Sequence, residues 1–378
     1  AVVTDAKIAG MAANKLNGAL PAVDGSALTN LPAGVTKNAS DPATDTNPSG
    51  GVGTIWANTT SGEMYVLTDA TTNANVWFNV GGGDGDVVPY SYQGTISGYT
   101  MGGYRPTTNK IDKYSLTSDA NATDVGNLTT TKSNGASAHS QTHGYYSGGS
   151  NSSSTALNEI EKFAFATDSD ATDVGDLLAI RSSTTGQSSS THGYTSAGTP
   201  GLSDAIEKYT FSVDNNSTDV GDLTLNGYNP AGQSSTTHGY NSGRYGGSPS
   251  NVIDRFPFAS DTNATDVGDI TVARYYCCGQ SSTTHGYTSA GENTSTYFII
   301  DKFSFASNGN ATDVGDLLNT KPDTAAGSSS TTHGYVTGGG ADNSNINIIQ
   351  KFSFSTDGNS TDVGDLTESR AYTTGTQF

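Results

Sequence analysis

The chain has 378 residues and a formal net charge of −19, from 17 basic and 36 acidic side chains. This acidic balance argues against nucleic-acid binding, because phosphate contacts require clustered lysine and arginine. Only 33% of the residues are hydrophobic, and the two cysteines are adjacent, so the sequence offers neither a membrane-spanning run nor a disulfide framework.

Residues 1–35 form the first predicted segment. Their apolar residues are spaced for one face of a helix within residues 5–16, but they are too few for an independent core. We therefore expect the segment to order against other copies of itself or another protein. The stretch KLNGALPAVDGSALTNLPAG, residues 15–34, resembles segments of tail-fibre proteins of tailed bacteriophages, including those of cyanobacteria. The resemblance implies attachment to a virion and trimerisation.

Residues 36–87 form the second predicted segment, a small β module followed by a glycine-rich linker. The runs GTIWAN, EMYVL and NVWFNV predict three short strands, with turns at Ser61-Gly62 and Thr72-Asn73. The whole pattern resembles a small β module that recurs in phage structural proteins. Trp56 and Trp77 are interpreted as its core, with a sugar-stacking pair as the alternative.

Residues 88–378 contain six copies of one unit of nearly fifty residues, which indicates a repeat architecture. Successive marker tyrosines are 46, 49, 46, 47 and 48 residues apart: Tyr99, Tyr145, Tyr194, Tyr240, Tyr287 and Tyr335. Within each copy, the aromatic of an Ile-x-Lys/Arg-aromatic block always lies 10 residues before a marker aspartate. The length variation falls almost entirely between a small-residue pair and that isoleucine. Because hydrogen-bonded ladders do not tolerate insertions, this segment is predicted to be a surface loop.

Each copy predicts four strands, named A to D. In the third copy they are residues 186–189, 193–196, 206–211 and 220–223, and no helical periodicity interrupts them. Four strands per unit and six units predict an all-β, six-bladed propeller. The diglycines, the aromatic position and the basic position resemble a kelch repeat, although valine replaces its tryptophan in every copy. The last ten residues match a D–A link and an A strand, so the C-terminus is predicted to pair with the strand at Gly98-Tyr99 and join the last blade to the first.

Two recurrent polar groups could suggest chemistry. One histidine recurs in five copies, but an active site needs unlike residues at one place. A structural role is preferred, in which the histidine side chain bonds the backbone at the A–B turn: His143, His192, His238, His285 and His333. Ser217, Asp219 and Gly221 resemble the Asp box of sialidase propellers, which is a structural turn in that family. Asp119, Asn121 and Asp124 could ligate Ca²⁺, but turn capping explains them as well. No cofactor motif, zinc spacing or catalytic set is present.

The candidate receptor-binding residues lie on the B–C loops and the D–A links, which a blade places on one face. The loops are residues 104–110, 150–158, 199–204, 244–251, 292–297 and 341–345, and their bulky residues are Tyr104, Arg105, Arg244, Tyr245 and Tyr297. The links add a ring of basic residues, Lys132, Arg181, Arg274, Lys321 and Arg370, with Asn226 departing from the pattern. The alternative is that each basic residue pairs with an acidic residue of its own blade.

These features together predict a non-enzymatic phage fibre or spike component, displayed on the virion surface, whose propeller recognises a host-surface glycan or protein. The expected partners are two further copies in a homotrimer and other virion proteins through residues 1–35. A purely structural or decorating virion protein and a glycan-degrading propeller of sialidase type are the alternatives.

Overall fold

The computed structural model of the protein describes residues 34–80, 90–318, 324–341 and 344–378, which fall into two compact units, Ala1–Pro89 and Tyr90–Phe378. All regular structure in these ranges is β-strand, so the all-β prediction is confirmed. No helix in the described ranges is long and apolar enough to cross a membrane. The helix predicted within residues 5–16 lies outside the described residues.

The first unit contains one sheet in the order β1-β2-β3-β4. Its strands are β1 (Thr36–Asn38), β2 (Ile55–Asn58), β3 (Met64–Asp69) and β4 (Val76–Asn79). The last three were predicted, and β1 is an addition that pairs in parallel with β2. Trp56 and Trp77 are buried and pack edge to face, with ring centroids 6.0 Å apart. They form the core of this unit, which corrects the alternative that they stack on a sugar.

The described residues of the second unit form twenty-eight strands, among which the four predicted for each repeat are present. The first repeats give β5 (Ser97–Met101), β6 (Lys110–Ser115), β7 (Thr123–Asn127), β8 (Lys132–Ser133), β9 (Ala136–His139), β10 (His143–Ser147), β11 (Ser150–Asn151), β12 (Leu157–Ala164) and β13 (Thr172–Arg181). The middle repeats give β14 (Thr185–Ser188), β15 (His192–Ser196), β16 (Ala205–Thr210), β17 (Thr218–Asp222), β18 (Ala231–Ser234), β19 (His238–Tyr245), β20 (Pro249–Pro257) and β21 (Thr265–Asp269). The last repeats give β22 (Cys278–Ser281), β23 (His285–Ser289), β24 (Ile299–Ser304), β25 (Thr312–Asp316), β26 (Ala326–Ser329), β27 (His333–Thr337), β28 (Gly340–Ala341), β29 (Ser344–Asn345), β30 (Ile348–Ser353), β31 (Thr361–Asp365) and β32 (Thr374–Gln377).

These strands form six antiparallel four-stranded sheets, whose strands we call A, B, C and D in order. Sheets 1 to 6 are β32-β5-β6-β7, β9-β10-β12-β13, β14-β15-β16-β17, β18-β19-β20-β21, β22-β23-β24-β25 and β26-β27-β30-β31. The six A strands contact one another in cyclic order, β9 to β14, β18, β22, β26, β32 and back to β9. Two short two-stranded sheets, β8–β11 and β28–β29, accompany them.

Glycine at the second position of five of the six A strands permits this close approach, and β9 has Ser137 there. A Cβ atom added to Gly186 would lie 1.9 Å from the carbonyl oxygen of Ser137 in the next A strand, and one added to Gly279 would lie 2.0 Å from that of Gly232. Aromatic and aliphatic side chains instead fill the space between sheets. Tyr194 of sheet 3, for example, packs against Phe256 of sheet 4, with ring centroids 5.4 Å apart. Each core is therefore shared by two neighbouring sheets.

The two ends of the second unit meet in sheet 1. Strand β32 pairs with β5, with Thr374 opposite Met101 and Gln377 opposite Gly98, so the predicted pairing of the C-terminus is confirmed. The segment before β5 lies against A strands. The ring of Tyr92 is 5.0 Å from that of the buried His139, and the Gln93 side chain is buried against Ser281.

The B–C loops and the D–A links lie together, as predicted, at what we call the loop end of the unit. Isolated β-bridges join loop to link in four sheets: Tyr104–Ala371, Ser182–Thr199, Tyr228–Tyr245 and Tyr275–Glu292. In sheet 4 the predicted loop of residues 244–251 is mostly strand, because β19 runs on to Tyr245 and β20 begins at Pro249.

Candidate functional site

The basic link residues predicted to bind a receptor are buried in ion pairs. Lys132, Arg274 and Arg370 have no exposed surface, and Arg181 is 9% exposed. Their respective partners are C-strand acids, Glu161, Asp301, Asp112 and Glu207. The receptor-binding prediction is therefore wrong for these four side chains, and local pairing is the correct alternative. The fifth, Lys321, lies outside the described residues.

Each of these acidic residues also joins two neighbouring sheets. Asp301 of sheet 5 accepts hydrogen bonds from the backbone N–H (3.0 Å) and the hydroxyl (2.7 Å) of Thr271, just after the D strand of sheet 4. Asp112 of sheet 1 makes the equivalent bonds to Thr367, which follows sheet 6. A buried carboxylate with a cation and two further donors is a compensated charge. These groups hold the sheets together and are not available for a ligand.

Arg244 was predicted to be an exposed contact residue, and this is wrong. Its side chain is buried, with Nη2 2.6 Å from Asp254 Oδ2 and Nη1 donating to the Leu225 carbonyl oxygen. Asp254 is the junction acid of sheet 4, and Gly227, which has no side chain, occupies the link position that supplies the cation elsewhere. Arg244 supplies the cation from strand β19 instead. Gly227 leaves room for this, since an added Cβ atom there would lie 3.1 Å from Arg244 Cγ.

The recurrent histidines and aspartates have structural contacts. In each copy the histidine Nδ1 pairs with the hydroxyl of the preceding threonine, at 2.8 Å for His192 and Thr191, rather than with the backbone as predicted. Burial lowers the pKa of each of these five histidines. The marker aspartates accept from the backbone N–H two residues on, as Asp219 does from Gly221 at 3.1 Å. These repeated contacts are distributed over separate sheets and bring no unlike reactive groups together.

The residues considered for Ca²⁺ have other partners. Asp119 pairs with Lys351, Asn121 Oδ1 accepts from the backbone of Asp365, and Asp124 Oδ1 accepts from the backbone of Gly126. Within the described ranges, no group of three or more histidine, cysteine, aspartate or glutamate side chains could hold a metal ion.

Three of the predicted loop aromatics remain accessible. Tyr104 and Tyr245 are half-buried at the loop end, and Tyr297 donates its hydroxyl to Asn293 Oδ1 within its own loop. The exposed Arg105 guanidinium lies 5.1 Å from the Tyr104 ring centroid. Such an arginine over an aromatic face is a cation–π contact.

Tyr104 and Tyr245 belong to a continuous set of six half-buried tyrosines, which we call the tyrosine arc. Successive ring centroids are 6.0, 5.8, 4.7, 5.0 and 5.4 Å apart along the order Tyr104, Tyr372, Tyr276, Tyr275, Tyr245 and Tyr228. Four members come from D–A links, which the sequence reasoning considered only for their basic residues. The arc could have been anticipated from the tyrosines that follow two of these basic residues, Tyr275-Tyr276 after Arg274 and Tyr372 after Arg370.

The pKa is raised for the two adjacent tyrosines in the middle of the arc, Tyr275 and Tyr276. Burial raises the pKa of Tyr276, and a hydrogen bond with Tyr372 raises it further. Burial, followed by the charge of Glu292, raises the pKa of Tyr275 to about 12. The hydroxyls of Tyr275 and Tyr276 therefore stay protonated near neutral pH and can donate or accept hydrogen bonds, while the rings of the arc offer apolar faces.

The arc crosses the mouth of a central cavity. A polar cavity of ≈ 90 Å³ is lined by A strands of all six sheets, and a second of ≈ 60 Å³ is lined in part by Tyr276 and Tyr372. Cys277 lines both cavities, and the buried Cys278 lines the larger one. The hydroxyls of Thr184 and Thr373, each 8% exposed, border both cavities and make no hydrogen bond within the described residues.

A collar of six residues surrounds this mouth. Each has a left-handed backbone with φ between 54° and 60°: Asn134, Ser183, Asn229, Tyr276, Thr324 and Tyr372. Such φ values are uncommon for residues other than glycine, and bulky or β-branched residues there are strained. Backbone bonds link the members, with Asn134 donating to Tyr372 at 3.0 Å and Ser183 donating to Asn134 at 2.7 Å. The collar thereby fixes the position of the two central tyrosines.

Sequence comparison adds no relative from which a function could be transferred. No protein-family model matches the chain, and no curated protein matches its sequence.

Proposed function

We propose that the second unit is a six-bladed, kelch-like β-propeller. Three observations support this architecture: the six four-stranded sheets, the cyclic contacts of their A strands, and the central cavity that all six A strands line. The pairing of β32 with β5 supplies the closure such a propeller needs, because it joins the last strand of the unit to the sheet that contains its first strand.

We propose further that the protein is a phage virion fibre or spike component that uses this propeller to recognise a host surface. The tyrosine arc carries the proposal. Tyrosine combines a rigid apolar ring with a polar tip, which is why it is common at recognition surfaces. Six of them in mutual contact at one end, on a framework of buried ion pairs, form a preorganised binding face rather than a reaction centre.

The resemblance of residues 15–34 to tail-fibre segments supports the assignment to a virion surface. It also supports a homotrimer that attaches to other virion proteins through residues 1–35. Light scattering on the chain with and without these residues tests the assembly. A monomeric full-length chain would contradict the trimer.

The experiment for recognition is adsorption of fluorescently labelled protein to whole cells, from a panel of strains that includes cyanobacteria. The double variant Tyr245→Ala/Tyr275→Ala removes the middle of the arc, so adsorption to the recognised strain should fall at least tenfold. Tyr297→Ala is the matched control, since Tyr297 lies on a loop but outside the arc. Normal adsorption by the arc variant, with an unchanged unfolding temperature, would favour a structural or decorating virion protein.

The glycan-degrading alternative requires unlike reactive groups that converge in a pocket. Tyr275 and Glu292 are one such pair at the loop end, and the pKa of Tyr275 is raised to about 12 by burial and then by Glu292. A phenol held protonated is a weak nucleophile. The geometry therefore favours binding without catalysis, and we propose a non-enzymatic adhesin.

A further inference from the structure

A cleft of ≈ 350 Å³ lies at the loop end of sheet 4, beside Arg244. Its volume falls in the range of small-molecule sites. Two chain segments line it: the D–A link before β18, through Leu225 and Asn226, and the hairpin of β19 and β20, through Arg244, Ser248, Ser250 and Asn251.

The cleft occurs at the one described junction where the cation comes from a different strand. In sheet 5 the link residue Arg274 reaches its acid, and its Nε donates to the Ala290 carbonyl oxygen. In sheet 4 the residue at this position is Gly227, and the exposed amide of the preceding residue, Asn226, forms one wall of the cleft. Arg244 reaches Asp254 from the opposite strand. Supplying the arginine from strand β19 rather than from the link keeps the ion pair and leaves open space beside it.

The lining suits an uncharged, hydroxyl-bearing ligand. Amide and hydroxyl groups from Asn226, Asn251, Ser248 and Ser250 alternate with apolar carbons of neighbouring residues. The Arg244 charge is balanced by Asp254 at 2.6 Å, so the cleft has no free cation for an anionic group. The buried Nε–H of Arg244 has no acceptor in the described part of the chain, as is also true of Arg370, but only Arg244 borders this cleft.

We propose that the cleft binds one uncharged pyranose unit of a glycan. A pyranose has hydroxyls at its edge and an apolar C–H face, which match the mixed lining. The cleft is continuous in sequence with the arc, since Tyr245 directly follows Arg244 and Tyr228 lies two residues after Asn226. The rings of these two tyrosines are 5.4 Å apart. The inference deepens the proposed function and rests on it for the source of the sugar: a host-surface glycan with one unit in the cleft and further units on the arc.

Saturation-transfer NMR on the full chain tests the site. The probes are glucose, galactose, mannose and N-acetylglucosamine, with glucuronic acid as the charged comparison. We expect transfer to at least one neutral sugar and weaker transfer to glucuronic acid. If no neutral sugar receives saturation, or glucuronic acid receives more than all of them, the proposed ligand class is wrong.

Two matched tryptophan variants locate the site. Ser248→Trp places an indole in the cleft from its exposed turn and should abolish the transfer. Ser153→Trp alters an equally exposed turn between β11 and β12 in sheet 2 and should leave the transfer unchanged. Equal transfer in both variants would overturn the cleft assignment. The proposed function is tested separately. It is wrong if whole-cell adsorption is insensitive to Tyr245→Ala/Tyr275→Ala.

Discussion

Replacing Arg244 by methionine should destabilise the second unit by about 3–5 kcal/mol, the usual effect of removing one partner of a buried ion pair. Asp254 has no exposed surface, and Arg244 is its only cationic partner among the described residues. Two hydrogen bonds from Thr224, at 3.1 and 2.6 Å, would remain. They satisfy the carboxylate oxygens in part but do not balance the charge, so a large part of the desolvation cost is left uncompensated.

A second substitution should reverse much of this loss. In the Arg244→Met background, Asp254→Asn removes the buried charge and keeps an acceptor for the backbone N–H of Thr224. The chain itself uses an amide at this place in sheet 6, where Gln350 Oε1 accepts from the backbone N–H of Leu318 at 2.9 Å. Replacing both members of a buried pair is often close to neutral, whereas removing one member is not. The double variant is therefore expected to be more stable than Arg244→Met alone.

Thermal and urea unfolding of the variants measures these differences. Arg255→Met is the matched control, because Arg255 is partly exposed and makes a side-chain hydrogen bond to Asn308 at 2.9 Å. Its loss should cost less than about 1 kcal/mol, as for other surface contacts. The reasoning is refuted if Arg244→Met is no more destabilised than Arg255→Met, or if Asp254→Asn makes Arg244→Met less stable.

Two further predictions concern closure and pH. Deleting residues 373–378 removes β32 and its pairing with β5, so the unfolding temperature should fall by many degrees; an unchanged temperature would contradict the closure. Burial lowers the pKa of His139 to about 4 from its ordinary value of 6.5, so the unfolded chain takes up this proton first and stability should fall between pH 6.5 and pH 4. His139→Ser, which copies Ser188 at the same strand position, should lessen that fall in unfolding scans against pH; identical pH dependence in both proteins would contradict it.

The constant residue spacing within the repeats made much of the second unit predictable. A strand whose side chains alternate between two faces tolerates no one-residue slip, so constant spacing located strands A to D and the C-terminal pairing partner of β5. The additional strand β1 was missed because its three residues, TKN, are polar and exposed and have no alternating pattern.

The site was predicted less well, because partners there come from different repeats. A lysine or arginine beside a loop has the same local sequence whether it faces solvent or an acid of the next sheet. The missed indication was the acidic residue at position x of the Ile-x-Lys/Arg block, which is present in five of six copies. The aromatic residue two positions later lies on the same face of the strand, so the side chain at x also points into the protein. Tyr276 and Tyr372 are far apart in sequence, and only the arrangement of the sheets brings them together.

Residues 92–94, just before β5, determine how a mechanical force applied to the N-terminal side of the second unit is distributed over its sheets. The Tyr92 carbonyl accepts from Gln377 at 2.8 Å, the Gln93 side chain donates to Ser281 at 3.0 Å, and the Gly94 backbone donates to Ser329 at 2.8 Å. These acceptors and donors belong to the A strands of sheets 1, 5 and 6. A pull on the N-terminal side of this unit is thus divided among three sheets before it reaches β5, which is itself held between β32 and β6. Peeling an edge strand breaks hydrogen bonds one after another, whereas a load shared in this way must break several at once.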